Sequence, residues 1–182
     1  MNETESEHRR ILAQAKSIFQ QKHCDYGSSW RVMRFPSLLD QLLIKCRRIR
    51  NIEDHNEQHV PDSIESEWYG IINYSIMALM QRASGPQDPD AELEEDLLET
   101  YDQHAAYARE LMAKKNHDYG EVWRDMMPQS FTDLILAKLH RMRTMVRNKE
   151  QVSASEGINA NLYDVINYAV FALIHLESSI QS

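Results

Sequence analysis

Apolar residues recur along this chain at the spacing of one helix face. Ile11, Leu12, Ala15, Ile18 and Phe19 form one such stripe, and Leu97, Tyr101, Ala105, Ala108 and Met112 form a second. Gly27 and Gly120 follow these stripes and are expected to end the helices, because Gly enters the left-handed region without a Cβ penalty. Second helices are predicted over about 37–52 and 130–146. Ser37 and Ser130 serve there as candidate N-caps, whose side-chain oxygens accept from a free backbone N–H. Third helices are predicted over about 66–81 and 161–177. Ser84-Gly-Pro-Gln-Asp-Pro-Asp separates the two sets and reads as a connector.

The two sets are copies. Lys22-His-Cys-Asp-Tyr-Gly-Ser-Ser-Trp-Arg matches Lys115-Asn-His-Asp-Tyr-Gly-Glu-Val-Trp-Arg at an offset of 115 − 22 = 93. Without a gap, residues 22–50 share 13 identities in 29 positions with residues 115–143. Unrelated segments would share roughly two. Tyr69, Ile72, Asn73, Tyr74, Ala78 and Leu79 then match Tyr163, Ile166, Asn167, Tyr168, Ala172 and Leu173 at an offset of 94. The expected fold is therefore all-α, a pseudo-twofold helical bundle of two tandem three-helix repeats. The first repeat is placed at 1–83, a connector at 84–96 and the second repeat at 97–182, packed as one domain. The two repeats are expected to meet face to face, as subunits of a homodimer do. Pairing of whole duplicated chains as a homodimer is left open.

Composition narrows the class. The chain has 182 residues and a net charge of −8, which argues against broad nucleic-acid binding by mass electrostatics. The polar, acidic start has no apolar stretch of a secretory signal. The run Leu162 to Leu176 carries Asp164, Asn167 and His175, and is too short and polar to span a membrane. Two cysteines, Cys24 and Cys46, make neither a disulfide framework nor a metal ligand set, so a reducing, cytoplasmic setting is expected.

Polar identities between the copies carry the candidate chemistry, since surface polar residues drift at little cost. Lys138 and Arg141 lie about 60° apart on one helix, and Asp133 about 80° from Arg141, so all three are expected to face one groove. With Arg124 they form a candidate phosphate site, mirrored by Arg31, Lys45 and Arg48 in the first unit. The alternative is a salt-bridge network joining helices. Asp164 and Asn167 share a helix face, and Glu156 lies upstream, so Asp164 and Glu156 are candidate Mg²⁺ ligands. Gly70 stands at the place of Asp164 in the first unit, with Glu65 or Glu67 as candidate substitutes. For Asn73 and Asn167 the alternative is an amide cross-link between helices. Tyr119, Gly120 and Trp123 have a structural alternative too: core filling for the aromatics and helix termination for the glycine. His117, His140 and His175 are not repeated and are set aside as incidental.

Lys115 to Arg124, then Ser130-Phe-Thr-Asp-Leu-Ile-Leu-Ala-Lys-Leu-His-Arg, then Asp164-Val-Ile-Asn-Tyr-Ala resemble the nucleotide modification associated domain type 1 family, once per unit. That resemblance implies an association with nucleotide or modified-base metabolism. The third-helix pattern is also faintly similar to MazG-like all-α nucleoside triphosphate pyrophosphohydrolases, which hold Mg²⁺ on acidic clusters, although Gly70 replaces the acid in one copy.

The expectation that follows is a protein binding nucleotide phosphate, with hydrolysis of nucleoside phosphates under Mg²⁺ as its enzymatic form. Arg31, Lys45, Arg48, Tyr119, Arg124, Lys138, Arg141 and Asn167 would bind substrate, and Asp164 and Glu156 the metal. Asp118 or Asp133 would orient the cations or activate water. The rival is a non-enzymatic interaction or assembly module whose repeated polar groups are internal struts.

Overall fold

The computed structural model describes residues 3–55, 57–91, 94–149 and 157–181. Six long helices follow one another: α1 (Glu3–Tyr26), α2 (Phe35–His55), α3 (Ile64–Ser84), α4 (Glu94–Tyr119), α5 (Pro128–Arg147) and α6 (Ile158–Gln181). Short 3₁₀ turns, Ser29–Val32 and Val122–Asp125, bridge α1 to α2 and α4 to α5. No strand occurs among the described residues. The protein is all-α, and its two halves repeat the same order of elements.

The predicted helix ends hold at the glycines. Gly27 and Gly120 have φ of 60° and 66°, and Gly27 N donates to His23 O at 2.8 Å. This is the left-handed residue that closes a helix at its C-terminus. The predicted N-caps do not hold. α2 begins at Phe35 and α5 at Pro128, so Ser37 and Ser130 lie inside the first turn. The prolines decide this, because Pro has its φ set for a helix and lacks the N–H that would go unpaired there. α3 has a side-chain cap: Ser63 accepts from Ser66 N at 3.1 Å. α4 begins at Glu94, so the helical part of the second half starts three residues earlier than the pattern places it.

The helices form three layers. α3 and α6 pack on each other in the middle. α2 covers α3, α5 covers α6, and α2 meets α5, closing a four-helix arrangement on one side. α1 and α4 meet each other and lie across α3 and α6 on the other. The sequence shows why: α3 and α6 are apolar around most of their circumference, as a helix covered on both sides must be. Ile71, Ile72, Ile76, Leu162, Val165, Ile166 and Val170 are completely buried. Side chains from both repeats join one core, which Phe19, Leu42, Tyr101 and Phe131 extend outwards. No described helix is long and apolar enough to cross a membrane.

Candidate functional site

The repeated polar residues divide into those with structural partners and those without. Asp40 on α2 meets Arg143 on α5 at 3.5 Å, and Asp133 on α5 meets Arg50 on α2, also at 3.5 Å. Each repeat's aspartate thus pairs with the other repeat's arginine across antiparallel helices. Duplication preserves both because one twofold-related seam uses both.

Asn73 and Asn167 obey the same rule at greater depth. Asn73 Nδ2 donates to Ala15 O at 3.0 Å in its own repeat, and Tyr101 Oη donates to Asn73 Oδ1 at 2.7 Å from the other. Asn167 Nδ2 donates to Ala108 O at 3.1 Å, and His8 Nε2 lies 2.8 Å from Asn167 Oδ1. With its amide nitrogen already donating, the Asn167 carbonyl accepts, so His8 carries its proton on Nε2. His8 and Tyr101 stand at the same repeat position, since 101 − 8 = 93. They differ in identity and share one role, a buried donor across the axis. Burial pushes the His8 imidazole down to about 4, its hydrogen bond to Asn167 offsetting only part of that.

The acids on the central helices are arranged differently in the two copies. Asp164, 8% exposed, takes Lys115 Nζ on one oxygen and Lys138 Nζ on the other, each at 2.5 Å. In the first copy Lys45 Nζ lies 3.2 Å from Glu67 Oε2, and Arg48 pairs with Glu67 Oε1. Arg48 also donates to Asp62 O at 2.7 Å. Lys45 reaches Glu67 by passing over Gly70: a Cβ at position 70 would stand 2.7 Å from Lys45 Cε and 2.8 Å from Cδ. The space that the Asp164 side chain fills in one copy is filled by a lysine stem in the other.

The first copy also holds a cleft of about 330 Å³ between the end of α1, the 3₁₀ turn and α3. Lys22, Tyr26, Gly27, Trp30 and Tyr74 line it and are identical in the second copy, as Lys115, Tyr119, Gly120, Trp123 and Tyr168. The Lys22 side chain makes no ion pair or hydrogen bond among the described residues. Tyr26 is 71% exposed, and Tyr119 is 73% exposed. These two tyrosines fill no core, whereas Trp30 and Trp123 do.

The remaining predicted residues are scattered. Arg31 is buried over the Trp30 ring at 4.2 Å and donates to Ser84 Oγ at 3.2 Å, tying the 3₁₀ turn to the end of α3. Arg124 lies over Trp123 at 4.4 Å and pairs with Glu7 at 2.6 Å and Glu121 at 2.8 Å, tying its turn to α1. Lys138 and Asp133 do not share a groove, because five residues separate them by about 140° and they address α6 and α2 respectively. Arg141 is exposed, with no ion pair among the described residues. Asp118 is exposed beside His117, at 3.1 Å. Glu156 lies outside the described residues. Among the described residues no three His, Cys, Asp or Glu side chains cluster closely enough to hold a metal ion.

Glu67, a candidate metal ligand by sequence, is held by Lys45 and Arg48, while Gln81 and His175 gained no role from identity matching. Gln81 Nε2 donates to Arg31 O at 2.8 Å, and His175 Nε2 lies 2.9 Å from Trp123 O, so these counterparts fasten the same turn in each copy. Aligning positions by role rather than by identity would have found them.

Fold and mirrored contacts together define a tandem-duplicated helical protein with twofold-related struts and a repeat-encoded cleft. The chain belongs to the nucleotide modification associated domain 1 family, whose model matches residues 22–81 and 115–176, more than half of the chain. Comparison with curated proteins and with solved structures returns no match.

Proposed function

We propose that the cleft of the first repeat binds a nucleoside phosphate. Tyr26 and Tyr74 offer aromatic faces to the base or sugar, and Lys22 offers its ammonium to a phosphate. Base–aromatic stacking contributes about 1–3 kcal/mol per base. An ammonium meets phosphate as a point charge. One observation carries this reading: Lys22 and Tyr26 are retained in both copies, although in the first neither side chain makes a hydrogen bond, ion pair or ring contact among the described residues. Membership of the nucleotide modification associated domain 1 family agrees in theme.

Mg²⁺ enters the proposal as a companion of the nucleotide's own phosphates. As placed, Asp164 does not fit a metal cage, because both its oxygens already face ammonium groups. Hydrolysis of the bound nucleoside phosphate, in the manner of the MazG-like enzymes, is the enzymatic extension and is tested separately by product assay.

Thermal shifts against nucleoside mono-, di- and triphosphates, with and without Mg²⁺, test the binding. A ligand that binds only the native state raises the melting temperature by mass action. Lys22→Ala and Tyr26→Ala should lose the shift while melting unliganded like wild type. A shift untouched by both substitutions would sink the reading.

The second reading is an assembly module, supported by the mirrored pairs Asp40–Arg143 and Asp133–Arg50 and by the two asparagine struts. Tyr26 and Tyr119 would then dock a protein. The absence of any nucleotide shift would favour it.

A further inference from the structure

The two copies carry the same pair of lysines but place the acid at different heights on the central helix. On α6 the acid is Asp164, which gathers Lys115 and Lys138 together. On α3 its counterpart is Gly70, and the acid stands three residues earlier as Glu67, whose own counterpart is Asn161. Three residues are about 4.5 Å along a helix and about 60° around it. That displacement carries the carboxylate away from the end of the first helix and towards Arg48 on the second. Lys45, the counterpart of Lys138, follows it across Gly70. Among the described residues no carboxylate is left for Lys22, the counterpart of Lys115, which lines the cleft instead.

We infer that this exchange of acids sets how many ligands the chain holds: the first copy carries an open phosphate site at Lys22, and the second is closed by the Asp164 carboxylate on Lys115. This rests on the nucleotide reading of the cleft. A phosphate approaching Lys115 meets a carboxylate already seated there, and like charges at that range repel. A phosphate approaching Lys22 meets the ammonium beside Tyr26, Tyr74 and Trp30. The duplicated sequence thus yields one binding site and one internal strut from the same lysine.

Isothermal titration of the full chain with inorganic pyrophosphate and with ADP, GDP, CDP and UDP tests this. The expected stoichiometry is one ligand per chain. Lys22→Ala should weaken binding about tenfold or more, as loss of a charged contact does. Lys115→Ala and Arg141→Ala should leave the affinity unchanged. Glu67→Asn with Gly70→Asp copies the second pattern into the first repeat and should abolish binding. The atoms nearest the new Cβ belong to the flexible end of Lys45, and circular dichroism checks that the variant folds. Asn161→Glu with Asp164→Gly should add a second equivalent. Two equal sites in wild type would overturn the inference while keeping the nucleotide reading, as would equal losses from Lys22→Ala and Lys115→Ala. No heat with any probe would overturn both.

Discussion

Gly70 and Asp164 occupy one position of a duplicated helix, and the difference between them reorganises every charge nearby. Around Asp164, two lysines from α4 and α5 converge on one buried carboxylate. Around Gly70, the α2 lysine joins an arginine on Glu67, and the α1 lysine faces a cleft. The cations were kept and the acid moved by one turn. A repeated residue therefore has no fixed role; the role belongs to the residue together with the acid within its reach.

The largest effect expected from breaking this comparison is at Asp164. Asp164→Asn removes the charge opposite Lys138, which is only 14% exposed. It should cost about 3 kcal/mol, as unpairing a buried cation does. Glu67→Gln should cost less, about 1–2 kcal/mol, because Arg48 keeps the Asp62 carbonyl. Urea unfolding of the two variants measures the gap, and equal losses would show that the two acids are equivalent struts.

The next effect separates His8 from Tyr101. His8 is held neutral, with its native value near 4 against an ordinary 6.5. Between those values the unfolded chain binds a proton that the native chain refuses. Stability should therefore fall as pH drops from about 7 to about 4, by about 3 kcal/mol from this group, and level off below. His104, also held down by burial, acts in the same direction. His8→Gln should flatten most of the slope in melting curves taken from pH 7 to pH 4. Tyr101→Phe removes the mirrored donor, and its loss of about 1–2 kcal/mol should be the same across that range. A slope unchanged in His8→Gln would remove His8 from the account.

The smallest effect is at the exposed seam. Asp40→Ala and Asp133→Ala should each cost under about 1 kcal/mol and match each other. Both losses should shrink at high salt.

Much of the fold was legible because duplication doubles every local signal. The glycine-ended first helices, the largely apolar third helices and the connector each occur twice or divide two like halves, and helical periodicity is a local property. The helix starts were misplaced because Ser37 and Ser130 carry a capping chemistry that Pro36 and Pro128 pre-empt. The site was less legible. Helical angles placed Asp133 and Arg141 on neighbouring faces, but they could not say that α2 would lie antiparallel to α5 and bring Arg50 to Asp133. Asn167 and Arg31 were expected at a ligand and are instead engaged between helices. Lys22 was visible as an identity, yet its importance depends on the missing carboxylate at Gly70, an effect that only the packed lysines reveal. Tyr119 was readable as core filler or as a binding residue, and its exposure excludes the core.

The central claim is that the neighbouring acid alone separates Lys22 from Lys115, and limited amine acylation followed by peptide mass spectrometry tests it without any ligand. Lys22 should react several-fold faster than Lys115 in the wild-type chain, and Asp164→Asn should bring Lys115 up to the rate of Lys22. Equal rates in wild type, or a Lys115 rate indifferent to Asp164→Asn, would contradict the account.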